Sequence, residues 1–98
     1  MQQLANNYQR IEHESSVELR WQQYFEQGDI EPLAQALLSL NNTWRVLEKV
    51  EGIDRVYYRL LMGPHTIQLH FEVYSQSTWF EGENIIENQI LNKLIHFI

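Results

Sequence analysis

The sequence predicts an α+β fold, a two-layer sandwich of order β-α-β-β-β-β-α. Its five-stranded, mostly antiparallel sheet would carry two helices on one face. Three observations predict it. Val56, Tyr58, Leu60 and Met62, then Ile67, Leu69, Phe71 and Val73, recur with the period of half-buried strands on either side of Gly63-Pro64. Two other stretches repeat at helical spacing, one through Leu33, Leu37 and Leu40 and one from Ile86 to Ile98. A chain of 98 residues has apolar material for one core, so residues 1–98 read as a single domain.

Residues 1–14 are polar and without a clean period, which leaves a loose tail and an edge strand both open. Val17, Leu19 and Trp21 alternate with Glu18, Arg20 and Gln22, as in a strand. A helix through Val17, Trp21, Tyr24 and Phe25 competes, but Ser15-Ser16-Val17 favours extended backbone. Asp29 suits a helix N-cap, with Pro32 in the first turn where a missing N–H costs nothing. The helix then buries Leu33, Leu37 and Leu40 and ends at Asn41-Asn42.

From Thr43 the period returns to two. Trp44, Val46 and Val50 mark a strand, and Gly52 with Asp54 its turn. Gly63-Pro64 suits a type II′ hairpin corner, because the first position needs φ > 0 and the second a fixed negative φ. That corner sets a register in which Met62 meets His65, Leu60 meets Ile67, Tyr58 meets Leu69 and Val56 meets Phe71. The other face then pairs Arg59 with Gln68, Tyr57 with His70 and Arg55 with Glu72; a one-residue slip would mix the two faces. A tight turn at Ser75-Gln76 would bring the strand Thr78–Glu81 back, with Phe80 opposite Phe71 and Trp79 opposite Glu72. Asn84 followed by Glu87 reads as a capping box for a last helix running to the chain end. Ile86, Ile90, Leu91, Leu94, Ile95 and Ile98 would form its apolar face, and Lys93 and His96 would suit its dipole.

Val17-Glu-Leu-Arg-Trp21, Ala34-Gln-Ala-Leu37, Gly52-Ile-Asp-Arg55 and above all Phe71-Glu-Val-Tyr-Ser-Gln-Ser-Thr-Trp79-Phe-Glu81 resemble a small bacterial family known only as a domain of unknown function. The resemblance spans about residues 17–83. It implies a stand-alone bacterial domain and carries over no activity, cofactor or site residue.

Composition narrows the function classes. Seven Lys and Arg against thirteen Asp and Glu give a net charge of −6, which argues against a nucleic-acid binder. The absence of cysteine excludes disulfides, thiolate metal sites and cysteine nucleophiles. No segment nears the roughly 20 apolar residues of a membrane span, and the start lacks a secretory pattern, so a cytoplasmic protein without a membrane partner is expected. No glycine-rich phosphate loop, Walker motif or HExxH occurs, and no cofactor or metal is expected.

The helix-free face gathers Arg55, Tyr57, Arg59, Gln68, His70, Glu72 and Trp79. Tyr, Trp and Arg are the residues that most often anchor protein interfaces. The competing description is a solvated face held by pairs such as Arg55–Glu72. His70 and Glu72 share a face and would suit a metal or an acid–base pair, but no third ligand is near and a surface histidine is the better description. Ser75 and Ser77 lack a nucleophile elbow and read as turn residues; Glu12-His13-Glu14 reads as a solvated cluster. Arg45, Lys49, Arg55 and Arg59 are offset by Glu48, Glu51 and Asp54. The expected function is a non-catalytic interaction module whose partner is a protein or a second copy of the chain, a homodimer that the apolar ending Phe97-Ile98 would suit. The alternative is a small-molecule binder or enzyme on the same face, with His70 as base and Arg59 holding an anion.

Overall fold

A computed structural model describes residues 7–98 of the chain. The described residues form strands β1 (Tyr8–Glu12), β2 (Ser16–Trp21), β3 (Trp44–Glu51), β4 (Arg55–Met62), β5 (His65–Glu72) and β6 (Ser77–Gly82). Helix α1 (Ile30–Leu38) lies between β2 and β3, and helix α2 (Ile85–Leu94) follows β6. The sheet is six-stranded, not five-stranded: residues 8–12 of the polar N-terminal segment make an edge strand. Residues 1–6 lie outside the described part.

All neighbouring strands are antiparallel, in the order β1-β2-β6-β5-β4-β3. The segment carrying α1 therefore crosses from β2 to the far edge, and β3-β4-β5-β6 meanders back until β6 closes against β2. One core cluster results. It contains Val17, Leu19 and Trp21 of β2, one parity of β4, β5 and β6, Leu33 and Leu37 of α1, Leu91 of α2 and Ile95 just after it. Both helices bury their apolar sides in this cluster, so the other parity of the strands turns away from them.

The β4–β5 hairpin has the register expected from its corner, from Met62↔His65 to Arg55↔Glu72, with Gly63 at φ +59°. Elsewhere the sequence reading needs correction. Ser75-Gln76 is not a two-residue turn. Glu72 pairs with Ser77, so four residues bridge the strands and Phe80 faces Leu69, not Phe71, while Trp79 faces His70, not Glu72. Gln76 takes φ +55° there, and its side-chain amide pairs with the main chain of Phe25: Phe25 N–H donates to Oε1 (2.9 Å) and Nε2 donates to Phe25 C=O (2.8 Å). The shift is even, so each residue keeps its face.

A register shift between Val46 and Glu48 changes the parity of β3 at Leu47. Trp44 stays in the core, while Val50 pairs with Tyr57 on the open side. Asp29 holds the N-cap position of α1, but its side chain does not cap it; the carboxylate accepts the Glu26 N–H (2.9 Å) one turn earlier, and α1 ends at Leu38 with Leu40 exposed. Asn84 caps α2, accepting from the N–H groups of Ile86 and Glu87, but the expected capping box is only half made, because the Glu87 carboxylate turns to His65. Ile86 is exposed, however, and Glu87 is the buried residue of that turn, paired with His65 Nδ1 at 3.0 Å. The helix stops at Leu94. Arg10 of β1 donates to Ile95 C=O (2.9 Å) and Asn92 Oδ1 (3.0 Å), bringing a cation to that terminus.

Candidate functional site: the open sheet face

The cross-strand partners Ile11↔Glu18, Glu18↔Trp79, Trp79↔His70, His70↔Tyr57 and Tyr57↔Val50 form one row across the sheet on the side away from the helices. Neighbouring strands lie about 4.8 Å apart, a stacking distance for side chains standing upright on them. The row uses it: His70 stacks on Trp79 (centroids 4.6 Å apart, planes within 2°) and on Tyr57 (5.0 Å, 24°). The structure thus joins three of the expected site residues in one aromatic stack.

His70 is the central ring and is only 9% exposed. Its Nε2 lies 2.8 Å from Gln68 Oε1 and 2.9 Å from Glu81 Oε1. Gln68 Nε2 donates to Glu83 Oε2 (2.9 Å), which turns the Gln68 carbonyl toward His70. Both neighbours of Nε2 are acceptors, so the ring carries its proton there. Among the described residues Nδ1 is buried without a partner, and a second proton on it would find no acceptor there. Burial holds the proton affinity of His70 below the ordinary histidine range, against the pull of Glu81.

Arg59 is spoken for. It donates to Glu83 through Nε (2.6 Å) and Nη2 (2.9 Å), and its Nη1 lies 3.5 Å from Glu48. These bonds, with that from Gln68, push the Glu83 carboxyl down to about 2. Arg55 and Glu72 form an ion pair across the hairpin, and Ser75 also donates to Glu72 (2.7 Å). Those two bonds hold Glu72 below the usual carboxylate range, Ser75 first.

Beside Trp79 the face sinks into a hollow of about 540 Å³, lined by Trp79, Glu18, Glu72, Glu81 and by Ser15, Ser16, Ser75, Ser77 and His13. Its charges are unevenly matched. Glu18 meets Arg20 (3.2 Å) and His13 (2.9 Å), and Glu72 meets Arg55. Glu81 accepts from a neutral donor, Trp79 Nε1–H (3.1 Å), and lies 2.9 Å from the His70 imidazole, both through Oε1.

Ser75 and Ser77 hydrogen-bond with each other, and Ser75 with Glu72, not with a histidine. His13 of the Glu12-His13-Glu14 cluster turns to Glu18. Among the described residues no three His, Cys, Asp or Glu side chains gather as a metal-holding set, and no helix is long and apolar enough to cross a membrane. Glu81, Glu83 and Glu18 are the site residues that sequence reasoning missed. Glu81 was within reach, since it follows Trp79 by two on the same strand and must share its face. Glu18 was not, because only the β2–β6 pairing brings it beside Trp79.

No curated protein and no solved structure matches the chain. A family model described as "Protein of unknown function (DUF3630)" matches residues 8–97, taking in β1 and α2 beyond the span of the motifs that suggested a family. From edge strand to C-terminal helix, the chain belongs to that family.

Proposed function

We propose that this chain is a non-catalytic protein-interaction module that binds a basic protein partner on its open sheet face. The observation that carries the reading is the Tyr57–His70–Trp79 stack, a platform of large rings left uncovered by either helix and bordered by carboxylates. Tyr and Trp supply wide contact area at low entropic cost, and the acidic surround favours a basic partner.

The enzymatic alternative loses support at two residues. His70 has the lowered proton affinity of a buried base, but Nε2 is held between Gln68 and Glu81 and Nδ1 is shut from solvent. Arg59 is committed to Glu83 and Glu48, so it offers no free fork to an anion. Self-association through the chain end is disfavoured too: Phe97 packs edge-on against Trp44, and both Phe97 and Ile98 lie against the core.

The test begins with affinity capture using wild-type, Trp79→Ala and Tyr57→Ala chains as bait, each checked for a native far-UV spectrum. A basic protein held by the wild type should be lost or weakened at least tenfold in both variants. Titrated against isotope-labelled chain, it should move amides of β2, β4, β5 and β6. Equal capture by all three baits, or shifts centred on α1 and α2, would remove the proposal.

A further inference from the structure

We infer that the hollow beside Trp79 receives one arginine side chain of the partner, its guanidinium stacked on the indole and paired with Glu81. This rests on the interaction reading above and names the contact at its centre. The aromatic row stops at Trp79: His70 lies parallel against one face of the indole, and the next cross-strand position is Glu18, which has no ring. The hollow opens at that point, so the other indole face borders it. A planar group laid there would become the fourth layer of the stack.

The lining decides which planar group. Glu18, Glu72 and Glu81 exclude an anion, and the serines make an apolar occupant costly to desolvate against. Two of the carboxylates already hold arginines of this chain, Arg20 on Glu18 and Arg55 on Glu72. Glu81 holds none, and its hydrogen bond from Trp79 and its contact with His70 both fall on Oε1, leaving Oε2 as an acceptor with no partner among the described residues. A guanidinium is flat, permanently charged and weakly hydrated, and its several N–H donors can meet Glu81 and the hydroxyl of Ser16, its cross-strand partner, together. An ammonium lacks the flat face that continues the stack. The volume falls within the roughly 300–1,000 Å³ of small-ligand sites, ample for one side chain.

The test titrates isotope-labelled chain with the capped tripeptide acetyl-Gly-Arg-Gly-amide and follows the indole N–H resonance of Trp79. A saturable shift is expected. Citrulline in place of arginine, neutral but of the same shape, should bind at least tenfold more weakly, and lysine at least threefold. Glu81→Gln should weaken the arginine peptide at least fivefold, whereas Glu18→Gln, already paired within the chain, should change it less than twofold. No saturable shift, equal binding of the citrulline or lysine peptide, or an unaffected Glu81→Gln chain would each overturn the inference. The two readings fail separately. If a captured partner maps to the open face but the arginine peptide does not compete with it, the pocket is wrong and the surface stands; if the partner maps elsewhere, both fall.

Discussion

Thr78 sits on the core side of β6, fully buried, and accepts a hydrogen bond from the Trp21 indole N–H at 2.8 Å. Removing that acceptor while keeping the volume, as in Thr78→Val, leaves a buried donor unpaired, a loss of about 1–3 kcal/mol. Urea unfolding should register it, while Thr78→Ser, which keeps the oxygen, should recover the part owed to the hydrogen bond. Gln76 makes a second residue-scale case. Its backbone lies in the left-handed region, and its amide satisfies both the N–H and the C=O of Phe25, whose ring packs edge-on against Phe71. Gln76→Ala should cost about 1–3 kcal/mol through the main-chain groups it strands. Gln76→Gly, which relieves the backbone but keeps the same loss, should fall no further than the alanine variant. An alanine chain as stable as wild type would mean that the clamp on Phe25 contributes nothing.

Elements differ in how far their sequence reveals them, and the reason is the distance over which their geometry is set. The β4–β5 hairpin was legible because its corner, its apolar face and its polar face are all local and agree. That hairpin carries five of the six expected site residues, Arg55, Tyr57, Arg59, His70 and Glu72, so much of the site was legible with it. The β5–β6 loop was not, because Gln76 takes its conformation with a partner 51 residues away. The bulge at Leu47 and the pairing of β2 with β6 have no local mark either, and with β2 went the wall of the hollow. Helix α2 is placed by another feature that periodicity misses. A methyl group added at Gly82 would lie 2.6 Å from the backbone nitrogen of Asn88 and 2.6 Å from Glu87 Cβ, so the helix approaches β6 closely only because no side chain intervenes. Gly82→Ala should therefore lower stability by about 1–3 kcal/mol or more, as overpacking against backbone does. Gly28→Ala, with nothing within 4 Å of the added carbon, is the control and should be close to neutral in the same thermal melts.

Across the whole molecule the shifted groups set a direction for stability with pH. His70, Glu18, Glu72 and Glu83 all bind protons less readily in the fold than at their ordinary values, 6.5 for the histidine and 4.5 for the carboxyls. The unfolded chain then holds more protons below about pH 6.5, and stability must fall as pH falls. The decline begins with His70 and steepens as the carboxylates protonate, Glu83 continuing down to about 2. Tyr8 and Tyr58 are shifted upward from 10.0 by burial, so their contribution persists through neutral pH and is lost only as pH rises through their folded values. Stability should accordingly be flat from about pH 7 to 10 and slope downward on the acid side. The Arg59–Glu83 pair supplies a separable part of that slope. Arg59 is partly open to solvent, so screening reduces the contribution of the pair. Glu83→Gln should be less stable than wild type at pH 7, with the difference shrinking as pH falls from 4.5 toward 2. Urea midpoints at pH 3, 4, 5 and 7 would draw the two curves together. A constant offset would mean that Glu83 titrates in its ordinary range and that Arg59 is free to hold an anion, which would restore the enzymatic reading of this face.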